Sequence, residues 1–235
     1  MTFIPLYINL SGLRVLVVGG GYIGTRRAVF FKEAGARVTV AAKEFREELR
    51  RGEFSLIELS LPEDMAKLEE LVKTHDLVVV AVSDEELARK VSEMAMKMGK
   101  LVNNTVDYKQ GNVIVPFRAV VKGIGIAVTS FGASGMAARV ALEKAVKVLS
   151  EDLEVRTILE SFGRFKEQLR KAVRDPKLRM KIYLAIEEDA TYCEYVKRGD
   201  VIKAYERALE VARSFNVNLE PAHDRFLQEG EQMRD

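Results

Sequence analysis

The strongest constraint on this chain's fold is a glycine cluster set between an apolar run and a helical pattern. Residues 13–18, LRVLVV, are apolar and rich in β-branched side chains, and they run directly into Gly19, Gly20 and Gly21. Apolar residues then recur at helical spacing over 22–34 before Gly35. A short apolar run of this kind reads as a buried parallel strand, and a glycine just past a periodic segment reads as a helix C-cap. Gly19, Gly21 and Gly24 fit G-x-G-x-x-G at the turn between the two. In that pattern the first glycine permits the tight turn, the second lets a pyrophosphate approach the backbone, and the third lets helix and strand pack closely. The free N–H groups of the helix N-terminus favour the diphosphate's charge.

The following segments continue the alternation. Strands are expected at 37–42, 54–59, 76–82 and 101–104, with helices near 63–73 and over 84–98, the latter closed by Gly99. Strands alternating with helices imply βαβ units, a mostly parallel sheet and right-handed crossovers that put helices on both faces. The pattern changes after Asp107. Two more strands are expected at 112–116 and 124–130, joined through the basic segment 118–122, followed by a helix over 135–150. Beyond 151 the period is helical, with breaks at Asp175-Pro176 and Arg198-Gly199-Asp200. The expected architecture is an α/β Rossmann-type dinucleotide-binding domain over 1–112, a small β-rich segment over 113–150 and an all-α tail over 151–235.

Composition narrows the function classes. Thirty-seven basic residues against 35 acidic ones leave a net charge of +2, too balanced for a nucleic-acid partner read from bulk charge. No apolar run reaches the roughly 18 residues of a membrane span, and the first ten residues lack the features of a signal peptide, so a cytoplasmic protein without a membrane partner is expected. A single cysteine, Cys193, excludes an internal disulfide and a cysteine-cluster metal site, and reads as a half-buried helix residue. The two histidines, His75 and His223, are far apart, so no metal site is expected.

Many NAD sites place an acid at the end of the second strand, about 20 residues past the glycines, to hold the ribose hydroxyls. Here that place reads Val40, Ala41, Ala42, Lys43, with Glu44 next. Lys43 suits a 2′-phosphate and Glu44 suits a ribose, so these residues leave NAD and NADP both open.

Several segments now align with one family: IPLY at 4–7, VVGGGYIGTRR at 17–27, AGARVTV at 34–40, AVSD at 81–84, NTVD at 104–107 and AVTSFGAS at 127–134. Their order and spacing resemble the precorrin-2 dehydrogenase family, which also forms the dehydrogenase/ferrochelatase part of siroheme synthases. The resemblance runs from about residue 4 to 144. It implies an oxidoreductase that uses NAD to convert precorrin-2 to sirohydrochlorin in siroheme biosynthesis. It also implies a tetrapyrrole substrate, a homodimer formed through the segment after the Rossmann domain and, in some members, insertion of ferrous iron. A chain ending at 235 has no room for the methyltransferase domain of fused relatives, so a stand-alone dehydrogenase is expected.

The resemblance also assigns residues. Asp107 matches the family's catalytic aspartate; removal of a hydride from the macrocycle requires loss of a proton as well, which a carboxylate can take. An aspartate there also suits stabilisation of the turn after Asn104. Tyr22, Ile23, Lys43 and Glu44 match positions that touch the dinucleotide, with Gly19, Gly21 and Gly24 beneath it and Ser83 beside it. Asn104, Arg118, Ser130 and Arg139 are the expected substrate contacts. Arg26, Arg27 and Lys122 share the same chemistry, because precorrin-2 is a polyanion and cationic side chains pair with carboxylates. The chain departs from the family pattern at Gly135, often proline, and at 108–111, YKQG, where the family often has an acidic or proline-containing segment. A competing reading is a nucleotide-sensing regulatory module of the kind attached to ion transporters. Such modules usually carry the second-strand acid that Ala41 lacks here.

Overall fold

The computed structural model describes residues 3–221; His223 lies outside them. The described residues fall into two units, 3–119 with 125–143, and 120–124 with 144–221.

The first unit is built on five parallel strands: β1 (Arg14–Val18), β2 (Arg37–Ala42), β3 (Ser55–Glu58), β4 (Leu77–Val80) and β5 (Leu101–Asn104). Their order is β3-β2-β1-β4-β5. The chain reverses its direction of winding between β1 and β4, so the carboxyl ends of those two strands flank a crevice. All of β4, and all of β1 except Arg14, is buried. Successive side chains of a strand point to opposite faces, and both faces are covered. Leu16, Val18, Val78 and Val80 pack with α3 (Met65–Thr74) and α4 (Glu85–Lys97). Val15, Val17, Val40 and Val79 pack with α1 (Tyr22–Glu33) and α2 (Glu47–Arg51). Each fully buried aliphatic side chain contributes roughly 1.5–3 kcal/mol relative to exposure. The sheet with helices on both faces is therefore the one the sequence pattern called for. The five-residue α2 escapes that pattern because it is too short to show a period and buries only Leu49.

Capping sets the helix ends, at Gly35 as the sequence suggested. Asp84 accepts a hydrogen bond from the Leu87 N–H at 2.7 Å to open α4. At the end of α1 the Ala36 N–H returns to the Phe31 carbonyl while Gly35 takes a φ of +88°, a left-handed closure that glycine adopts without a Cβ penalty. At the amino edge of the sheet, Arg14 donates to both carboxylate oxygens of Asp76, at 3.2 and 2.9 Å. These bonds hold the Asp76 carboxyl down at about 2.

One expected strand is displaced. Residues 112–116 are not paired as a strand: the Asn112 and Val113 N–H groups both donate to the Val102 carbonyl, and the Asn112 side chain accepts from the Val102 N–H at 2.6 Å. The segment is thus bound to β5 only through Asn112 and Val113, and Pro116 has no N–H to extend a ladder. The basic segment read as a connection is itself the strand, β6 (Phe117–Val121), paired with β7 (Ile124–Val128). Lys122 and Gly123 join them with φ of 48° and 84°. Two consecutive positive values mark a type I′ hairpin turn, whose twist matches that of the flanking strands. The helix α5 (Gly135–Glu151) follows, its first turn capped by Ser134, which accepts from the Ala137 N–H at 3.2 Å.

The second unit is helical: α6 (Leu153–Ala172), α7 (Pro176–Glu187), α8 (Ala190–Lys197) and α9 (Val201–Ser214). Each opens on an aspartate, Asp152, Asp175, Asp189 or Asp200, whose side chain accepts a first-turn N–H; such a cap is worth about 1 kcal/mol. Their apolar faces meet in a core around Phe165, Leu169, Ile182, Ile186, Tyr205 and Leu209. Cys193 is half-buried on α8. Among the described residues no helix is long and apolar enough to cross a membrane.

Candidate active site

The glycine loop is shaped by backbone contacts. Gly19 has a φ of +117°, and a Cβ there would lie 2.3 Å from the Ala81 carbonyl oxygen at the end of β4. A Cβ on Gly20 would lie 2.1 Å from the Glu44 carbonyl oxygen, and one on Gly24 would lie 2.0 Å from that of Gly19. Only glycine fits these three places without movement of the backbone. Gly21 differs, because nothing stands within 4 Å of its Cβ position. It is the N-cap of α1, where no side chain caps the helix and no acid occupies the first turn. The first N–H groups of a helix have no partner within it. An open approach to such donors, free of a competing carboxylate, fits a diphosphate.

Positive charge gathers on the same side. The exposed Tyr22 ring has the Arg26 and Arg46 guanidiniums 5.6 and 5.7 Å from its centroid, and Arg26 donates to its hydroxyl at 2.8 Å. Lys43 and Glu44, both exposed, follow β2 in the loop whose backbone touches Gly20. Ile23 and Ser83 are exposed as well, Ile23 in the first turn of α1 and Ser83 immediately before the Asp84 cap of α4. The residues named from sequence as cofactor contacts therefore lie on the loops after β1, β2 and β4 and in the first turn of α1. They fit a nicotinamide dinucleotide.

The second part of the site is a cavity of about 630 Å³, within the roughly 300–1,000 Å³ typical of small-molecule sites. It is lined by Arg27 of α1, Asn103 and Asn104 of β5, the loop 105–109, Ile114, Val115 and residues 131–133. Asp107 is the one acidic residue in this lining, against Arg27 and Lys109, so the wall favours an anionic ligand.

The loop carrying Asp107 is held from below. Asn104 is buried and fully engaged: its Oδ1 accepts from the N–H groups of Val106 and Asp107 at 2.8 and 3.0 Å, and its Nδ2 donates to Ser92 Oγ and Gln110 Oε1. One oxygen of Asp107, Oδ1, accepts from the Lys109 N–H at 2.9 Å, while Oδ2 bonds no described residue. Asp107 thus stabilises its turn and also presents a free carboxylate oxygen. Thr105 ties the loop to β4, donating to the Val80 carbonyl through both its N–H and its Oγ1, at 3.0 and 3.1 Å. The end of β4 therefore touches the glycine loop through Ala81 and the Asp107 loop through Val80. The two parts of the site are neighbours across that strand end.

The remaining expected substrate contacts lie elsewhere. Arg118 is exposed, its guanidinium 4.7 Å from the Phe30 ring centroid. Arg139 is exposed on α5 beside Glu143. Neither lines the cavity, and nor does Ser130, whose Oγ accepts from the Ser134 N–H at 2.9 Å and so shapes the loop that does. Phe131 and Gly132 in that loop have φ of 50° and 80°, and a Cβ on Gly132 would lie 2.8 Å from the Tyr108 ring. The sequence pattern gave Asn103 no role and marked Tyr108 only as part of the departing segment 108–111. A second asparagine in the otherwise apolar run LVNN was the available signal for the first. No group of three or more His, Cys, Asp or Glu side chains suited to a metal ion occurs among the described residues.

Comparison with known proteins agrees with this geometry. Residues 6–117 match a sequence family described as "Putative NAD(P)-binding". The chain is 32% identical over 170 residues to the siroheme synthase of Neisseria meningitidis serogroup C (strain 053442), covering 72% of this chain and 35% of that protein. It is 25% identical over 201 residues to the "Putative precorrin-2 dehydrogenase" of Methanocaldococcus jannaschii, covering 83% of this chain and 95% of that one. Among solved structures, "SirC, precorrin-2 dehydrogenase" has the same fold, with a TM-score of 0.58 and 21% identity over 87% of this chain and all of that one. The chain spans about a third of the length of the siroheme synthases it matches. In its nucleotide-binding loop and its order of motifs, this chain is thus similar to precorrin-2 dehydrogenases and to the corresponding part of siroheme synthases.

Proposed function

We propose that the protein catalyses the NAD-dependent dehydrogenation of precorrin-2 to sirohydrochlorin. The observation that carries this reading is Asp107, the single acid of the cavity wall, with one oxygen free and its loop bonded to the strand end that abuts the glycine turn. Oxidation of the macrocycle removes a hydride equivalent and a proton. A nicotinamide dinucleotide bound at the glycine loop supplies the hydride acceptor. Asp107 takes the proton, and Asn104 holds it in position through the two N–H groups that bind its Oδ1. Gly19, Gly21, Tyr22, Ile23 and Gly24 hold the diphosphate by their backbone, while Lys43, Glu44 and Ser83 flank the rest of the cofactor. Glu44 supports NAD, since its carboxylate can accept from ribose hydroxyls. Residues 113–150 serve dimerisation: Phe117 and Val120 of β6 and Met136 and Val140 of α5 are exposed apolar side chains.

The test is an anaerobic assay of purified protein with precorrin-2 and each nicotinamide cofactor in turn, followed by the absorbance of sirohydrochlorin. Conversion with NAD is expected. Asp107→Asn should lower turnover by about 100-fold or more and leave NAD affinity unchanged. An unaltered spectrum with both cofactors overturns the enzymatic reading, and NAD binding without turnover then leaves a regulatory module.

A further inference from the structure

We infer that Arg27 and Asn103 form a recognition subsite in the Asp107 cavity, with Arg27 gripping a carboxylate arm of the substrate and Asn103 Oδ1 accepting an N–H of the ring. This inference rests on the proposed reaction, and its tests separate from those of that reaction.

Five cations share the chemistry for pairing with an acidic macrocycle, and the structure sorts them. Arg26 is bonded to the Tyr22 hydroxyl, Arg118 lies over Phe30, Lys122 donates to the Ser150 carbonyl at 2.9 Å and Arg139 sits beside Glu143. Arg27 alone of the five lines the cavity. It is half-buried and makes no hydrogen bond or ion pair with any described residue. Burial, and then the neighbouring Arg26, push its guanidinium below the ordinary arginine value. A cation that is partly desolvated and unpaired is stabilised by any carboxylate that reaches it, and Arg offers the planar fork that binds one with two hydrogen bonds.

Asn103 is an independent second observation. It is 4% exposed, its Nδ2 donates to the Val113 carbonyl at 3.0 Å, and its Oδ1 is a buried acceptor with no partner. Because side chains alternate along β5, Asn103 faces away from its neighbour Asn104, which bonds Ser92 on α4. Native proteins rarely leave a buried acceptor unsatisfied. In a cavity wall, the unused acceptor matches an N–H donor on the ligand. A cationic donor together with a neutral acceptor selects a ring that carries both acidic arms and pyrrole-type N–H groups.

The probe is uroporphyrin, a stable macrocycle with eight carboxylates, titrated by absorbance against the full chain without dinucleotide. Arg27→Met keeps most of the stem but removes the charge. It should weaken binding at least ~10-fold, whereas Arg27→Lys, which retains a cation, should stay within about threefold of the wild type. The uncharged methyl ester of the probe should bind wild type and Arg27→Met equally weakly. Asn103→Leu should weaken binding of the acid about fivefold. In turnover, Arg27→Met should raise KM with kcat changed less than twofold. Equal affinity of wild type and Arg27→Met for the acid, or failure of the wild type to distinguish acid from ester, overturns the subsite. If Arg27→Met fails to fold, the Lys variant and the ester comparison decide. Discrimination at Arg27 without oxidation of precorrin-2 sinks the dehydrogenase reading and leaves the subsite standing; turnover with no effect at Arg27 does the reverse.

Discussion

The two ends of the site are made of different material. At the glycine loop the shape comes from backbone meeting backbone: Gly19 against Ala81, Gly20 against Glu44, Gly24 against Gly19. At the cavity it comes from side chains gathered from α1, β5, the Asp107 loop and residues 131–133. A surface made of backbone recognises what every dinucleotide shares, its diphosphate. One made of side chains can be tuned to a single substrate. The difference also determines what a substitution does at each end.

The sharpest contrast lies within the glycine loop itself. Gly19→Ala places a Cβ 2.3 Å from a carbonyl oxygen at a φ of +117°, so it should cost about 3 kcal/mol or more of stability, read as a lowered thermal midpoint. Gly21→Ala meets nothing within 4 Å and has a φ of −74°. It should fold within about 0.5 kcal/mol of the wild type yet lose at least ~10-fold in NAD affinity by calorimetry. Equal stability of the two variants would break the distinction between a glycine needed by the fold and one needed by the ligand.

At the cavity end, Asn104→Ala removes the acceptor for two N–H groups and leaves the buried Ser92 hydroxyl without its partner. It should destabilise by about 1–3 kcal/mol and lower kcat with little change in NAD affinity. A matching loss of NAD affinity would mean that the two ends are not separable. The smallest effect belongs to a place remote from both. Asp76 is held at about 2 by Arg14, so its contribution to stability is present above the usual aspartate value near ~3.9 and fades as pH falls toward 2. Arg14→Met should therefore raise the pH of acid unfolding slightly, followed by circular dichroism, with both ligands bound as before at pH 7.

What could be read beforehand follows the same division. The glycine loop and the parallel strands are written locally, because a glycine needed for a turn or a short run of apolar, β-branched residues acts within a few positions. Asp107 and Asn104 were legible only as members of the NTVD segment. That Asn104 turns inward to hold the loop depends on Ser92 and Gln110, which no local pattern announces. Arg27 was one cation among several until its surroundings were known. The strand over Phe117–Val121 was misplaced by five residues because Arg118 and Lys122 marked the segment as a basic connection, while the signal that mattered was the Lys122–Gly123 turn.

The end of β4 carries a consequence for how such a protein can change over generations. Two successive carbonyls, Val80 and Ala81, serve as abutments for two different loops. Any drift in that strand end is felt by the glycine loop and the Asp107 loop together, so new substrate preferences should arise from the periphery of the cavity while this hinge-stone between the two loops stays put.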